Sequence, residues 1–385
     1  MAQTKKSETN LHRNRQTSRQ GAGNRQNEDA RSSSPRSRAS RRLLSAPPEG
    51  QERCGYLPAR RGKSSDLIEE FQRKKICVIG DIIADVYIFG KPYRLSREAP
   101  VVVVKYEEEK IYPGGAGNTI NNLLALGAQV FPVGFIGSDA AGDRLIDHFS
   151  RYEAVDTEGF LRHDGETVTK TRILAGDTHT SKQQVIRIDK DTSHLISKGE
   201  RRLLIEKVRS LIPRMDAFIV SDYGHGVIDR NVIRLMAEAA KSKPVVGDSR
   251  YNLRSFKGFT LITPNESEAL ALASLGDGDD METVGRKIMG LMNVTALLVT
   301  RGNKGMSLFL RDGRVHHIPI SGSDDVTDVT GAGDTVCAAV TLSLASGVDF
   351  YSASKIANVA GGIVVMKRGT ATVTVDELRK VLNEQ

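Results

Sequence analysis

The sequence predicts an α/β fold: a mostly parallel central sheet covered by helices on both faces, with a small β lid projecting from it. Three observations carry this expectation. From about residue 198 onward, helical and strand patterns alternate regularly. Polar motifs recur where apolar strands end, the edge at which open parallel sheets gather their ligands. Two β-rich segments, roughly 86–112 and 160–190, break the alternation and read as the lid.

In chain order, the continuous apolar run Lys75–Gly80 reads as a buried strand ending in Gly80-Asp81. Val101–Tyr106 is a second β run. Ala116–Leu126 reads as a helix stopped by Gly127, and Gln129–Gly137 as a strand. Residues 167–175 and 183–189 alternate Thr, Val and Ile with Lys, Arg and Gln, the period of a half-buried hairpin. Helices follow over Lys198–Ile212, Asp229–Lys241, Asn265–Leu275 and Met281–Met292. Strands are expected at Ala217–Ser221, Val245–Gly247, Thr260–Thr263 and Ala296–Thr300. Ser307–Leu310 and Val315–Ile318 pair around Arg311-Asp312-Gly313, and helices 334–346 and 351–366 close the order.

Of the chain's net charge of +8, residues 1–65 hold 15 Lys and Arg against 5 Asp and Glu, which leaves −2 on the rest. The body is thus nearly neutral, and its charge does not point to nucleic acid. The first 65 residues are rich in Arg, Ser, Gln and Asn, with no hydrophobic period. They read as a disordered basic tail: a solvated extension, an organellar transit peptide or an arm for nucleic acid. Residues 66–385 read as one domain. No apolar run is long enough to cross a bilayer. Cys54, Cys77 and Cys337 show no paired spacing and read as free thiols of a reducing compartment, so a cytoplasmic location is expected, with an organelle as the alternative.

The chemistry concentrates in Asp328-Val329-Thr330-Gly331-Ala332-Gly333-Asp334. Glycine is disfavoured inside a strand, and the run after Asp334 is apolar and small enough for a buried helix. Gly331, Ala332 and Gly333 therefore open a helix, where free N–H groups and the dipole favour an anion. Asp334 in the first turn either caps that helix or takes a proton from a hydroxyl attacking a phosphate. Pro113-Gly114-Gly115-Ala116-Gly117-Asn118 opens an earlier helix, and Asn118 offers a sugar hydroxyl both donor and acceptor. Asn265 and Glu268 stand on one helix face, able to hold Mg²⁺ through water or simply to cap the helix. Lys170, Arg172 and Arg187 lie on polar-faced strands and are candidates for an anionic substrate. No GxxxxGK[ST] loop occurs, which excludes a P-loop enzyme, and no GxGxxG follows a strand, which leaves a dinucleotide fold unsupported.

These segments resemble the PfkB, or ribokinase-like, family of sugar kinases. The Asp328–Asp334 run is similar to its second signature and Gly114-Gly115 with Asn118 to its first. Within the family, Arg94-Leu95-Ser96-Arg97-Glu98-Ala99-Pro100-Val101 and Gln183-Gln184-Val185-Ile186-Arg187-Ile188-Asp189 resemble the bacterial kinases of heptose 7-phosphate. The resemblance implies a ribokinase-like fold and ATP with Mg²⁺. It implies phosphorylation of the anomeric hydroxyl of D-glycero-β-D-manno-heptose 7-phosphate to the 1,7-bisphosphate, towards ADP-heptose. Alternatives are another PfkB acceptor, or a kinase-like organellar or nucleic-acid-associated protein. By the same resemblance Asp334 is the base, and Gly331, Ala332 and Gly333 face the transferred group. Asp85, Gly114, Gly115, Asn118, Lys170, Arg172, Arg187 and Asp222 bind the substrate. Asn265, Thr300, Gly302, Gly305 and Asn358 join the glycine turn at ATP, while Asn265 and Glu268 support Mg²⁺. Asp328 and Thr330, with Lys367–Thr370, correspond to a K⁺ site, and the lid implies a homodimer. This chain carries His225 and Arg250 where those heptose kinases carry Lys.

Overall fold

The computed structural model describes residues 68–176, 182–191, 194–322 and 327–384. The basic tail of the sequence reading lies outside the described residues.

Strand β1 (Lys75–Gly80) is buried at every position after Lys75 because it is central. It pairs in parallel with β4 (Gln129–Gly137) on one side and β8 (Ala217–Asp222) on the other. Ile76 and Val78 enter one core while Cys77 and Ile79 enter the other, the two-residue period of a strand covered on both faces. From β5 (Phe160–His163) through β4, β1, β8, β9 (Val245–Ser249) and β10 (Leu261–Ile262) to β11 (Ala296–Thr300), all pairings are parallel. The antiparallel strands β12 (Met306–Leu310) and β13 (Val315–Ile318) complete this nine-stranded sheet.

One core is formed with α1 (Ala116–Ala125), α2 (Ala140–Phe149), α7 (Ala332–Ala345), α8 (Phe350–Val364) and α9 (Val375–Asn383). The other is formed with α3 (Lys198–Leu211), α4 (Arg230–Ala239), α5 (Glu266–Ala273) and α6 (Met281–Met292). Helix α7 is buried from Asp334 to Leu344. Its hydroxyls tolerate this because Thr341 and Ser343 donate to the carbonyls of Cys337 and Ala339. The described cysteines, Cys77 and Cys337, are free and buried, and burial raises both thiols well above their ordinary range. Among the described residues no helix is long and apolar enough to cross a membrane.

The lid is a four-stranded sheet in the order β3 (Val102–Gly115), β2 (Ile82–Leu95), β6 (Thr169–Ala175), β7 (Gln183–Lys190). Strands β2 and β3 form one long antiparallel hairpin, closed at its base by Ile82 opposite Gly115. It leaves the body two residues after β1 and returns straight into α1, with no linker between Gly115 and Ala116. The lid segments therefore extend further towards the body than 86–112. The segment 160–190 divides: Phe160–His163 pairs with Gly134–Gly137 in the body, and only the part from Thr169 joins the lid. Packing explains the division, since Phe160 is buried and stacks on Phe149, 5.4 Å between ring centres.

Candidate active site

Among the described residues, seven of the nine helices α1–α9 start with a side-chain cap: Asp139, Ser197, Asp229, Asn265, Asp280, Asp349 or Thr374 accepts a first-turn N–H. Helices α1 and α7 do not. Each opens on a glycine with left-handed backbone, Gly115 at φ 58° and Gly331 at φ 80°. A β-carbon on Gly115 would lie 2.6 Å from the Asp81 carbonyl oxygen, and one on Gly331 2.5 Å from Asn118 Nδ2. At Gly333 it would meet no atom within 4 Å, so the first turn of α7 is open on that side. The result is two uncapped helix ends, one of which presents free N–H groups to an anion.

Between these ends sits Asp334, 6% exposed. Asn118 Nδ2 donates to its Oδ2 (2.7 Å), and Thr119 Oγ1 and the Tyr223 hydroxyl donate to its Oδ1 (3.0 and 3.1 Å). The holders are themselves held. Asn122 Nδ2 donates to the Asn118 carbonyl (2.9 Å), and Thr335 Oγ1 donates to Asn122 Oδ1 (2.8 Å). Burial raises the Asp334 carboxyl above its usual range, against the hydrogen bonds and Arg250, which favour the charged form. A carboxylate made more basic and kept in one orientation is suited to accept a proton. Asn118 Oδ1 is buried with no partner among the described residues. It is an acceptor that a sugar hydroxyl would satisfy.

Further charges crowd the same edge. Asp248, at the end of β9, is pushed up to about 8 by burial and then by Asp334 and Glu268. Burial also raises Glu268, against the Asn265 amide and Arg250. The phenol of Tyr223 lies well above its ordinary range because of burial and the neighbouring Asp334 and Asp248. It therefore stays a neutral donor.

On the lid side, Arg172 Nη1 lies 2.5 Å from Asp85 Oδ1, and both side chains are largely buried. Gly114 is required there, since a β-carbon would sit 2.1 Å from Asp85 Oδ2. Arg187 grips Asp189 through two nitrogens (2.6 and 2.7 Å). Of the three lid cations expected at the substrate, only Lys170 has no carboxylate within 4.0 Å among the described residues. Asp222 faces the protein: its oxygens accept from Gly224 N (3.0 Å) and Ser249 Oγ (2.8 Å), bracing the loop after β8.

The residues expected at the nucleotide also converge. Asn265 and Glu268 form a reciprocal capping box, each side chain accepting from the other's backbone N–H at 2.9 Å. Asn265 is bridged to Thr300, whose N–H donates to the Pro264 carbonyl (3.0 Å). Gly302 and Gly305 take left-handed backbone in the turn that follows. Gly305 abuts the Ile318 carbonyl, and Asn358 Nδ2 donates to the Pro319 carbonyl next to it (2.8 Å). Asp328 accepts from the backbone N–H of Thr330 (2.9 Å) and Gly369 (3.0 Å), joining the two segments expected at a monovalent cation. The donor set fits a metal-bound polyphosphate: an uncapped helix end for phosphate oxygens, and Glu268 and Asp248 close to one another for a hydrated cation.

Sequence reasoning gave no role to Thr119; it reached Tyr223 and Asp248 only as strand-end residues, and Arg250 only as a departure from the heptose kinases. Tyr223 and Arg250 directly follow β8 and β9, and Asp248 is the last residue but one of β9, so all three stand at the edge the strand-end rule selects. Thr119 needed the packing of α1 on α7.

Residues 73–377 match the pfkB family carbohydrate kinase pattern. The chain is 39% identical over 307 residues to the bifunctional protein HldE of Geobacter sulfurreducens, covering 78% of this chain and 61% of that protein. To HldE of Azorhizobium caulinodans it is 38% identical over 326 residues, covering 82% and 66%. The chain thus spans a little over three fifths of these relatives' length. Among solved structures, Arabidopsis thaliana ribokinase with ribose and ATP superposes with a TM-score of 0.62 at 18% identity, covering 80% of this chain and 98% of that one. Escherichia coli phosphofructokinase-2 with potassium gives a TM-score of 0.66 at 16% identity, covering 81% and 98%. They share the ribokinase-like fold. With its two glycine-opened helices meeting at one buried aspartate, and with this family pattern along most of its length, the chain belongs to the pfkB family of carbohydrate kinases.

Proposed function

We propose that this chain is the kinase of a heptose 7-phosphate, transferring the terminal phosphate of Mg·ATP to the anomeric hydroxyl and giving the 1,7-bisphosphate. The observation that carries the chemistry is Asp334, buried, raised in basicity and oriented by three donors at the mouth of the uncapped α7. The similarity to the HldE proteins over about four fifths of the chain supports the choice of sugar.

Bound Mg·ATP supplies the phosphoryl group and the metal charge that neutralises its oxygens. The protein's part is positioning and fixed charge. Asp334 accepts the proton of the attacking hydroxyl at its carboxylate. The backbone N–H groups of the Gly331–Gly333 turn meet the charge that develops on the transferred group. Asn118 and Asp85 orient the sugar, with Gly114 and Gly115 allowing the close approach. Lys170 meets the distal phosphate from the lid, with Arg172 and Arg187 in the same sheet. Asn265 and Glu268 serve Mg²⁺ through water, Thr300, Gly302, Gly305 and Asn358 border the nucleotide, and Asp328 with Thr330 serves K⁺. The lid pairs with that of a second copy, and the enzyme works in the cytoplasm, where sugar phosphates and ATP meet.

The test is phosphoryl transfer to a panel of heptose 7-phosphate, fructose 6-phosphate and the matching free sugars. The heptose phosphate is expected to give the highest kcat/KM. A phosphate-free sugar used best would remove the role of Lys170 and with it this reading.

A further inference from the structure

Tyr223 joins two parts of the site that come from different halves of the molecule. Its hydroxyl donates to Asp334 Oδ1. Its ring lies beneath two cations: Lys170 Nζ, from β6 of the lid, and the Arg250 guanidinium, from the segment after β9 in the body. Each is 5.3 Å from the ring centre. The ring is not free to follow them, because the Tyr223 N–H donates to the buried Asp81 (2.7 Å) and the preceding Asp222 is braced by Ser249.

Neither Lys170 nor Arg250 has a carboxylate within 4.0 Å among the described residues. Burial, together with the charges of Arg250 and Arg187, holds the Lys170 ammonium below its usual range, while Asp85 opposes this. Two like charges, each 5.3 Å from the centre of the same ring, the Lys170 one half-buried and the Arg250 one exposed, neither with a carboxylate within 4.0 Å among the described residues, favour an incoming anion. An aromatic ring offsets only part of that desolvation.

The geometry points to Tyr223 as a positioning residue that couples a two-cation phosphate seat, Lys170 and Arg250, to the base Asp334. The ring carries the cations and the hydroxyl fixes the carboxylate. The ligand is a phosphate dianion, that of the sugar or the terminal one of the nucleotide. This rests on reading Asp334 as the base. The charged and titratable groups facing Asp334 are Tyr223 from the loop after β8, Asp248 and Arg250 from the end of β9, and Cys337 on its own helix. Asn118 and Thr119 of α1 add neutral donors.

Tyr223→Phe keeps the ring and removes only the hydroxyl. The expected result is a kcat lowered roughly 10- to 100-fold, the loss of one hydrogen bond to a charged group. The KM for sugar phosphate should stay within about twofold. The acid limb of the kcat profile should move to higher pH, since the hydroxyl favours the charged form of Asp334. A residue that only supported the fold would lower the melting temperature and leave that limb in place. An unchanged kcat and acid limb would overturn the coupling. Arg250→Met tests the seat. A KM raised about tenfold for the sugar phosphate assigns the anion to the sugar, and the same rise for ATP assigns it to the nucleotide. No change in either overturns the seat.

The coupling can also be read without turnover. The phenol titration of wild type minus Tyr223→Phe should show a group ionising above the free tyrosine range, and Asp334→Asn should lower it. If that drop appears while no heptose phosphate is phosphorylated, the choice of sugar fails and the coupling stands. If it does not appear, the coupling fails whatever the sugar.

Discussion

Around Asp334, polar side chains from α1, α7 and the loop after β8 are buried and bonded to one another, and each donor is fixed by a second bond or by its backbone. In the lid, by contrast, all eight residues of β7 are exposed. They include the apolar Val185, Ile186 and Ile188, and Val102 and Tyr106 of β3 are exposed as well. Apart from Arg172 with Asp85 at its root, the lid's ion pairs, such as Lys110 with Glu108, lie in water, where such pairs add little to stability. The body spends its burial on holding one carboxylate still. In the reading proposed here, the lid keeps its surface for groups that are not part of this chain: a substrate on one side and a second copy on the other.

The comparison breaks first if the pocket proves tolerant. Asp334→Asn is nearly the same size and should fold, with kcat reduced about 10²- to 10⁴-fold, the usual contribution of a positioned base. Steady-state kinetics beside a melting curve check this, and an Asn variant retaining most of its activity would remove the base assignment. Next comes Gly331→Ala, which sets a β-carbon at φ 80° and 2.5 Å from Asn118 Nδ2. It should cost about 1–3 kcal/mol of stability and about tenfold or more in kcat, because Asn118 must move off Asp334. The same substitution at the exposed Gly313, also at positive φ but with open space around it, should strain the backbone and spare kcat.

A third test concerns pH. Asp248, raised to about 8, is protonated in the folded protein at neutral pH but ionised when unfolded. The native state therefore holds the extra proton, and the stabilisation falls as pH rises between about 4 and 8. Asp248→Asn should melt close to wild type near pH 4–5 and gain on it steadily towards pH 8; thermal melts across that range would show a constant difference if Asp248 were ionised throughout. The smallest effect on the fold is expected at the lid. Ile186→Glu with Ile188→Glu should shift sedimentation from dimer to monomer while moving body stability by about 0.5 kcal/mol or less, as surface changes do. An unchanged sedimentation profile would leave the lid face without its proposed partner.

Much of the body was legible in the sequence because its signals are local. Ile76–Gly80 is apolar throughout because it is covered on both faces, and the glycines at 114–115 and 331–333 announce helix starts without caps. The lid boundary was not local. Phe160–His163 has the composition of a lid strand, and only its pairing with Gly134–Gly137 assigns it to the body. Helix α9 carried a legible Thr374–Glu377 capping box that the reading passed over. Asp222 shows the limit of the strand-end rule: it stands at the right edge, yet both oxygens are turned to Gly224 and Ser249. Which end-of-strand residue faces the ligand depends on the loop that follows, and that is settled by packing.

The direct passage from β3 into α1 has a consequence for how this protein can change. Gly115 ends the hairpin opposite Ile82, and three and four residues later the chain supplies Asn118 and Thr119 to Asp334. One residue inserted between Gly115 and Ala116 would turn α1 by about 100° about its axis and carry both donors away from the carboxylate. The tip of the hairpin can lengthen, shorten or acquire new side chains, but its root is locked in register to the base. New acceptors are open to this scaffold through the outer lid, and closed to it at the joint.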